Sequence, residues 1–150
     1  RSGCYLTHDS DSYAEAARRM RERMPELSAL GDGLRDGIEV FAYVQSRPEP
    51  GLGILTLGKR DVSRDLHLPS ARNAFRPGRD SRPRPLAPGC AISALNDQHA
   101  YLDVPPGEDL AVGDVVGCAI SHPCTTFDKW RFLPIVNDDY DVIDAVAASF

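Results

Sequence analysis

No stretch of the 150-residue chain approaches the roughly 20 consecutive apolar residues that span a bilayer, and no apolar leader with a small-residue cleavage site opens it. A membrane is therefore not an expected partner. Positive charge is not in surplus either: 17 Lys and Arg face 22 Asp and Glu, a formal net charge of −5 that argues against non-specific nucleic-acid binding. The one dense basic run, Arg72 to Arg84, is broken by Pro77 and Pro83 and reads as a loop. Four cysteines, Cys4, Cys90, Cys118 and Cys124, lack the compact spacing of a disulfide framework, which favours a reducing, cytoplasmic setting. Internal repeats, a Walker loop, paired C-x-x-C motifs and a G-x-G-x-x-G fingerprint are all missing. The chain opens on Arg1 instead of Met and reads as the C-terminal part of a larger protein, with only two lysines, Lys59 and Lys129.

What is present suffices for one core: 42% of residues are hydrophobic and 26% charged. Ser12-Tyr13-Ala14-Glu15 fits a capping box, and Tyr13, Ala16, Ala17, Met20, Met24 and Leu27 recur at helical spacing, so a helix with a core-packing stripe is expected there until Pro25 stops it. From Ile38 the period changes. Apolar or alternating runs at 38–45, 51–57, 91–95, 99–104, 112–120, 132–136 and 140–147, divided by Gly, Pro, Asn or Asp, predict a mainly β fold: an antiparallel, barrel-like sheet after one N-terminal helix. Between them, residues 75–89 carry prolines at 77, 83, 85 and 88 and arginines at 76, 79, 82 and 84, which predicts a mobile connection without a sheet ladder.

Three polar stretches carry chemistry. In Ile120-Ser121-His122-Pro123-Cys124, at the expected end of a strand, extended chain would send His122 and Cys124 to one face, where imidazole nitrogen and thiolate suit zinc. Two protein ligands leave positions for water or substrate, as in a working metal site. The competing reading makes Cys124 a small buried hydrophobe and His122 a hydrogen-bonded core residue. The loop Gly58 to Asp65, which contains Asp61, is polar enough to face a site, or is a solvated loop of ion pairs. Asn96-Asp97-Gln98-His99 offers Gln98 and His99 as active-site support, with a structural histidine as the alternative.

Taken together, Arg1-Ser2-Gly3-Cys4-Tyr5, Gly58-Lys59-Arg60-Asp61, Asn96-Asp97-Gln98-His99 and Ser121-His122-Pro123-Cys124-Thr125-Thr126 resemble the C-terminal part of the D-serine dehydratase and D-threonine aldolase-like family, whose members are often labelled amino acid deaminases. The likeness runs in order from residue 1 to residue 150, and the H-x-C motif is its most specific part. It implies a pyridoxal-phosphate enzyme of the alanine-racemase fold type. Residues 1–35 would be the last strand and helix of its (β/α)8 barrel, and 36–150 the β-rich domain. By the same resemblance Gly3, Cys4 and Tyr5 would contact the cofactor phosphate, Arg1 would lie near its ring, and His122 and Cys124 would bind zinc, or manganese or another divalent metal in its place. The aldolase branch carries H-x-D instead, so Cys124 favours the dehydratase branch.

The implied reaction is elimination of the β-hydroxyl of a D-hydroxy amino acid, giving a keto acid and ammonia. Pyridoxal phosphate would act as electron sink, and zinc would assist departure of hydroxide, a poor leaving group. Neither Lys59 nor Lys129 stands where the family places its Schiff-base lysine, so no catalytic residue is assigned and the chain alone is expected to be inactive. The expected partners are a small D-amino acid, the missing N-terminal barrel and a second copy in a homodimer. Two alternatives remain: a D-threonine aldolase or amino acid racemase of the same fold, and a non-catalytic metal-binding β domain.

Overall fold

The computed structural model describes Cys4, Leu6, Thr7, residues 10–31 and residues 35–149. In β1 (Glu39–Glu49) the alternation expected from Ile38 sends Val40, Ala42 and Val44 inward and leaves Phe41 and Tyr43 exposed. That fixes which side of the sheet is core. β2 (Leu52–Leu55) returns beside β1, and β3 (Ser70–Phe75), β4 (Arg84–Pro85), β5 (Ala91–Leu95), β6 (Ala100–Asp103) and β7 (Val115–Ala119) complete a seven-stranded sheet of order β4-β3-β7-β1-β2-β6-β5. Its neighbours are all antiparallel. β3 approaches β5 from the other half, so the sheet curls around a core that includes Leu55, Leu57, Val62, Leu102, Val116 and Ile120, each at most 1% exposed. The expected mainly β, antiparallel, barrel-like fold with an N-terminal helix is what the chain adopts.

Outside the sheet lie α1 (Ser12–Arg23), a 3-10 segment (Pro25–Leu30), the short α2 (Cys124–Phe127) and a hairpin of β8 (Phe132–Val136) and β9 (Val142–Ala147). Tyr140, in the left-handed region at φ 64°, seats that hairpin on the large sheet. Its ring meets Phe41 edge-on at 5.7 Å, and its hydroxyl donates to Glu39 Oε2 at 2.9 Å. Phe41 in turn lies over Gly117, where a Cβ would come within 2.8 Å of the ring.

Three expectations need correction. The capping box does not form as read, because Asp11 occupies the N-cap position and the Glu15 carboxylate turns to Arg18 and Arg19, whose hydrogen bonds hold it down at about 2. Pro25 does end the helix, but the apolar stripe is not core: α1 buries no residue, and Met20 and Met24 are 53% and 44% exposed. Nothing in the described chain covers that face. The proline-rich stretch does carry a ladder, since β4 pairs with β3 and the Leu86 amide donates to the Arg72 carbonyl at 2.9 Å. Pro83 and Pro85 flank Arg84, so their missing donors fall at the sheet edge. Charge ties the stretch further. Arg76 bonds Asp114 (2.7 Å) and Asp109 (2.9 Å), and Arg84 bonds Glu108 (2.7 Å).

Candidate metal centre

β7 delivers the motif from the most buried part of the sheet. Val116, Cys118 and Ala119 are fully enclosed, and burial, helped by the Glu39 charge, pushes the Cys118 thiol up to about 12. Cys118 is therefore an inert packing residue. Where the chain leaves the strand, the Ile120 carbonyl accepts the Ser10 amide at 3.2 Å, and the Ser10 hydroxyl lies 3.1 Å from the same oxygen and 2.9 Å from Asp36 Oδ1. The N-terminal segment is thus fastened two residues before His122.

The turn itself is not extended. Pro123 has helical angles (φ −63°, ψ −31°) and α2 begins at Cys124, so the two-residue periodicity of a strand does not apply to His122 and Cys124. A strand-to-helix turn presents the pair instead. Cys124 is a free, exposed thiol, which removes the reading of it as a buried hydrophobe. His122 is half-buried, with a side chain 27% exposed, and its Nδ1 is hydrogen-bonded to Asp65 Oδ2. Thr125 Oγ1 donates to the other oxygen, Asp65 Oδ1, at 3.0 Å. Desolvation pushes the Asp65 carboxyl up, but bonds from His122, its own amide and Thr125 outweigh it and hold the group below the usual carboxylate range. Among the described residues nothing engages His122 Nε2.

Asp65 reaches this position because the 58–67 segment is stitched to the turn. The Trp130 indole donates to the Asp61 carbonyl at 2.7 Å, the Ser63 amide to the fully buried Thr126 hydroxyl at 3.0 Å, and the His67 amide to the buried Ser121 hydroxyl at 3.3 Å. At its start the segment lies against the other polar loop: Lys59 and Arg60 amides donate to the Asn96 and Asp97 carbonyls at 2.9 and 3.1 Å. A Cβ on Gly58 would stand 2.4 Å from the Asp97 carbonyl oxygen, so only glycine admits this approach.

Of the residues read from sequence, His122 and Cys124 share one turn, while Gln98 and His99 line a shallow polar depression with Lys59, Asn96 and Asp97. Asp61 closes its own turn by accepting the Gly58 amide at 2.8 Å. Arg1, Gly3 and Tyr5 lie outside the described residues, and Cys4 is half-buried. Sequence reasoning missed Asp65 and Thr125. Asp65 ends the loop read as facing a site or as solvated, and Thr125 adjoins the H-x-C motif, but only the fold shows that Asp65 is the loop residue that meets the histidine.

Imidazole nitrogen and thiolate form a donor set that fits zinc. Among the described residues no three His, Cys, Asp or Glu side chains form a metal-holding group, so His122 and Cys124 alone would not complete a site. A bound metal would take its other ligands from water, substrate or a further domain.

Residues 37–136, two thirds of the chain, match the family described as "Putative serine dehydratase domain". The chain belongs to that family. No functionally curated protein matches it. Among solved structures it resembles D-threonine aldolase from Filomicrobium marinum, at TM-score 0.59 and 20% identity over 75% of this chain and 27% of that one. It also resembles D-threo-3-hydroxyaspartate dehydratase from Delftia sp. HT23, at TM-score 0.52 and 16% identity over 98% of this chain and 54% of that one. A mutant D-threo-3-hydroxyaspartate dehydratase in its metal-free form matches at TM-score 0.53 and 17% identity, over 75% and 32% of the two chains. At these identities the likeness is one of fold. The chain spans between about a quarter and just over half of the length of these relatives.

Proposed function

We propose that this domain supplies the zinc ligands His122 and Cys124 to a pyridoxal-phosphate-dependent D-amino acid dehydratase that releases a keto acid and ammonia from a β-hydroxy substrate. The observation that carries it is the H-P-C turn, with one imidazole nitrogen held by Asp65 and an exposed free thiol two residues on. Bound there, zinc would supply Lewis-acid stabilisation of the charge that develops on the β-oxygen as the C–O bond breaks. The chain's own part is to hold that point rigidly: β7 is anchored in the core, and the 58–67 segment clamps the turn through Ser121 and Thr126. Pyridoxal phosphate belongs to the same reading through Arg1, Gly3, Cys4 and Tyr5. The Ser10–Ile120 contact supports it, because it joins the segment that follows those residues to the start of the turn.

Activity in this reading requires a barrel domain with the Schiff-base lysine, and the exposed apolar stripe of α1 is surface that such a domain would cover. A retro-aldol reaction is the second reading, favoured by the structural likeness to a D-threonine aldolase. Cys124 weighs against it, since the resemblance assigns H-x-C to the dehydratase branch. Product analysis separates them. Full-length protein given D-serine, D-threo-3-hydroxyaspartate and D-threonine should release keto acid and ammonia. Glycine plus an aldehyde would establish the aldolase, and enantiomer exchange alone a racemase.

A further inference from the structure

We propose that Asp65 is a positioning residue for the metal: it accepts the Nδ1 proton of His122, fixes the ring as the Nδ1–H tautomer and turns the Nε2 lone pair outward to bind zinc. The inference rests on the preceding reading of His122 as a metal ligand and adds the group that makes it one. Three observations point the same way. Asp65 Oδ2 is bonded to His122 Nδ1, Asp65 Oδ1 accepts the Thr125 hydroxyl at 3.0 Å, and no described residue engages Nε2. A carboxylate held at both oxygens has one orientation, and it transmits that orientation to the ring.

Chemistry favours this division of labour. A neutral histidine side chain in water prefers its proton on Nε2, which would block that nitrogen as a ligand, whereas an acceptor beside Nδ1 reverses the preference. Thr125 sits in the first turn after Pro123, so the same short helix that carries Cys124 also holds the carboxylate. Metal ligand, second donor and positioning group are thereby fixed relative to one another by one turn and one loop.

The test uses the full-length protein with Asp65→Ala, Asp65→Asn, Asp65→Glu, Thr125→Val and His122→Ala, each checked for native circular dichroism. The Asp65 side chain is 46% exposed, so folding should survive its loss. Long-range proton–nitrogen correlation spectra of metal-stripped, neutral His122 should show the proton on Nδ1 in wild type and on Nε2 in Asp65→Ala. Zinc affinity, read by chelator competition, should fall about 10- to 100-fold in Asp65→Ala, recover in part in Asp65→Glu, and fall less in Thr125→Val. An Nε2–H tautomer in wild type, or unchanged affinity in Asp65→Ala while His122→Ala loses zinc, would overturn the positioning role alone. Zinc retained by His122→Ala would overturn the metal assignment, and the inference with it.

Discussion

The site is built from side chains that differ in how far apart they lie in sequence, and that distance decided which were legible. His122 and Cys124 stand two residues apart, so the H-x-C motif can be read without a structure. Asp65 lies 57 residues from His122, in a loop from which the sequence reading offered Asp61 instead. Only the stitching of Ser63, His67 and Trp130 to the turn separates the two carboxylates: Asp61 closes a turn, Asp65 meets the imidazole. The strand argument put His122 and Cys124 on one face through a geometry that the backbone does not have, because Pro123 bends the chain into α2. At this scale the account predicts that Cys124→Ser weakens zinc binding by more than the roughly 10–100-fold expected from loss of an outer hydrogen-bonding partner. A chelator titration checks it. The same substitution should leave thermal stability within about 0.5 kcal/mol, since the side chain is exposed.

Elements with a single strong period were read correctly, and those whose period is broken were not. β5 and β8 fall where the apolar runs placed them, whereas β3 escaped notice because Ser-Ala-Arg-Asn-Ala-Phe offers neither β-branched residues nor clean alternation. β3 exists through its pairing with β7, a long-range cause that a local pattern does not carry. The proline-rich stretch shows the same limit, since its composition suits a free loop while Asp109, Asp114 and Glu108 tie it down from another part of the chain. Two predictions belong here. Trypsin should find one productive site between residues 75 and 89, Arg79, because Arg76, Arg82 and Arg84 each precede proline; cleavage should stay slow at native ionic strength and quicken in high salt, as a time course would show. Gly58→Ala should cost about 1–3 kcal/mol in urea unfolding, because its Cβ meets the Asp97 backbone and not a movable side chain.

For the molecule as a whole, the curled sheet and its central core were legible as a class from alternation and turn residues, while the place of α1 was not. Its stripe has helical spacing and polar flanks, which say that the face wants cover but not that the cover lies in the sheet. Acid stability should track the ion pair between Arg76, just after β3, and Asp114, just before β7. Burial pushes the Asp114 carboxyl up, but the Arg76 hydrogen bond and charge, with the Ala111 amide, hold it below its ordinary value. A carboxyl depressed in the folded state contributes stability above its unfolded value near 4, and that contribution is lost as pH falls through the folded value. Arg76→Met should therefore cost about 2 kcal/mol at pH 7 and shift the acid-unfolding midpoint upward, followed by circular dichroism.

The central claim is that the H-P-C turn is the protein's zinc site and that the zinc serves elimination. The most direct measurement is the zinc-to-protein ratio of full-length wild type and His122→Ala, taken by elemental analysis on samples whose deaminase activity is assayed in parallel. The account predicts close to one zinc per chain in wild type, near none in the variant, loss of most keto-acid formation, and pyridoxal phosphate still bound because its anchors lie elsewhere. Equal zinc in both proteins, or full activity in metal-stripped wild type, would contradict it.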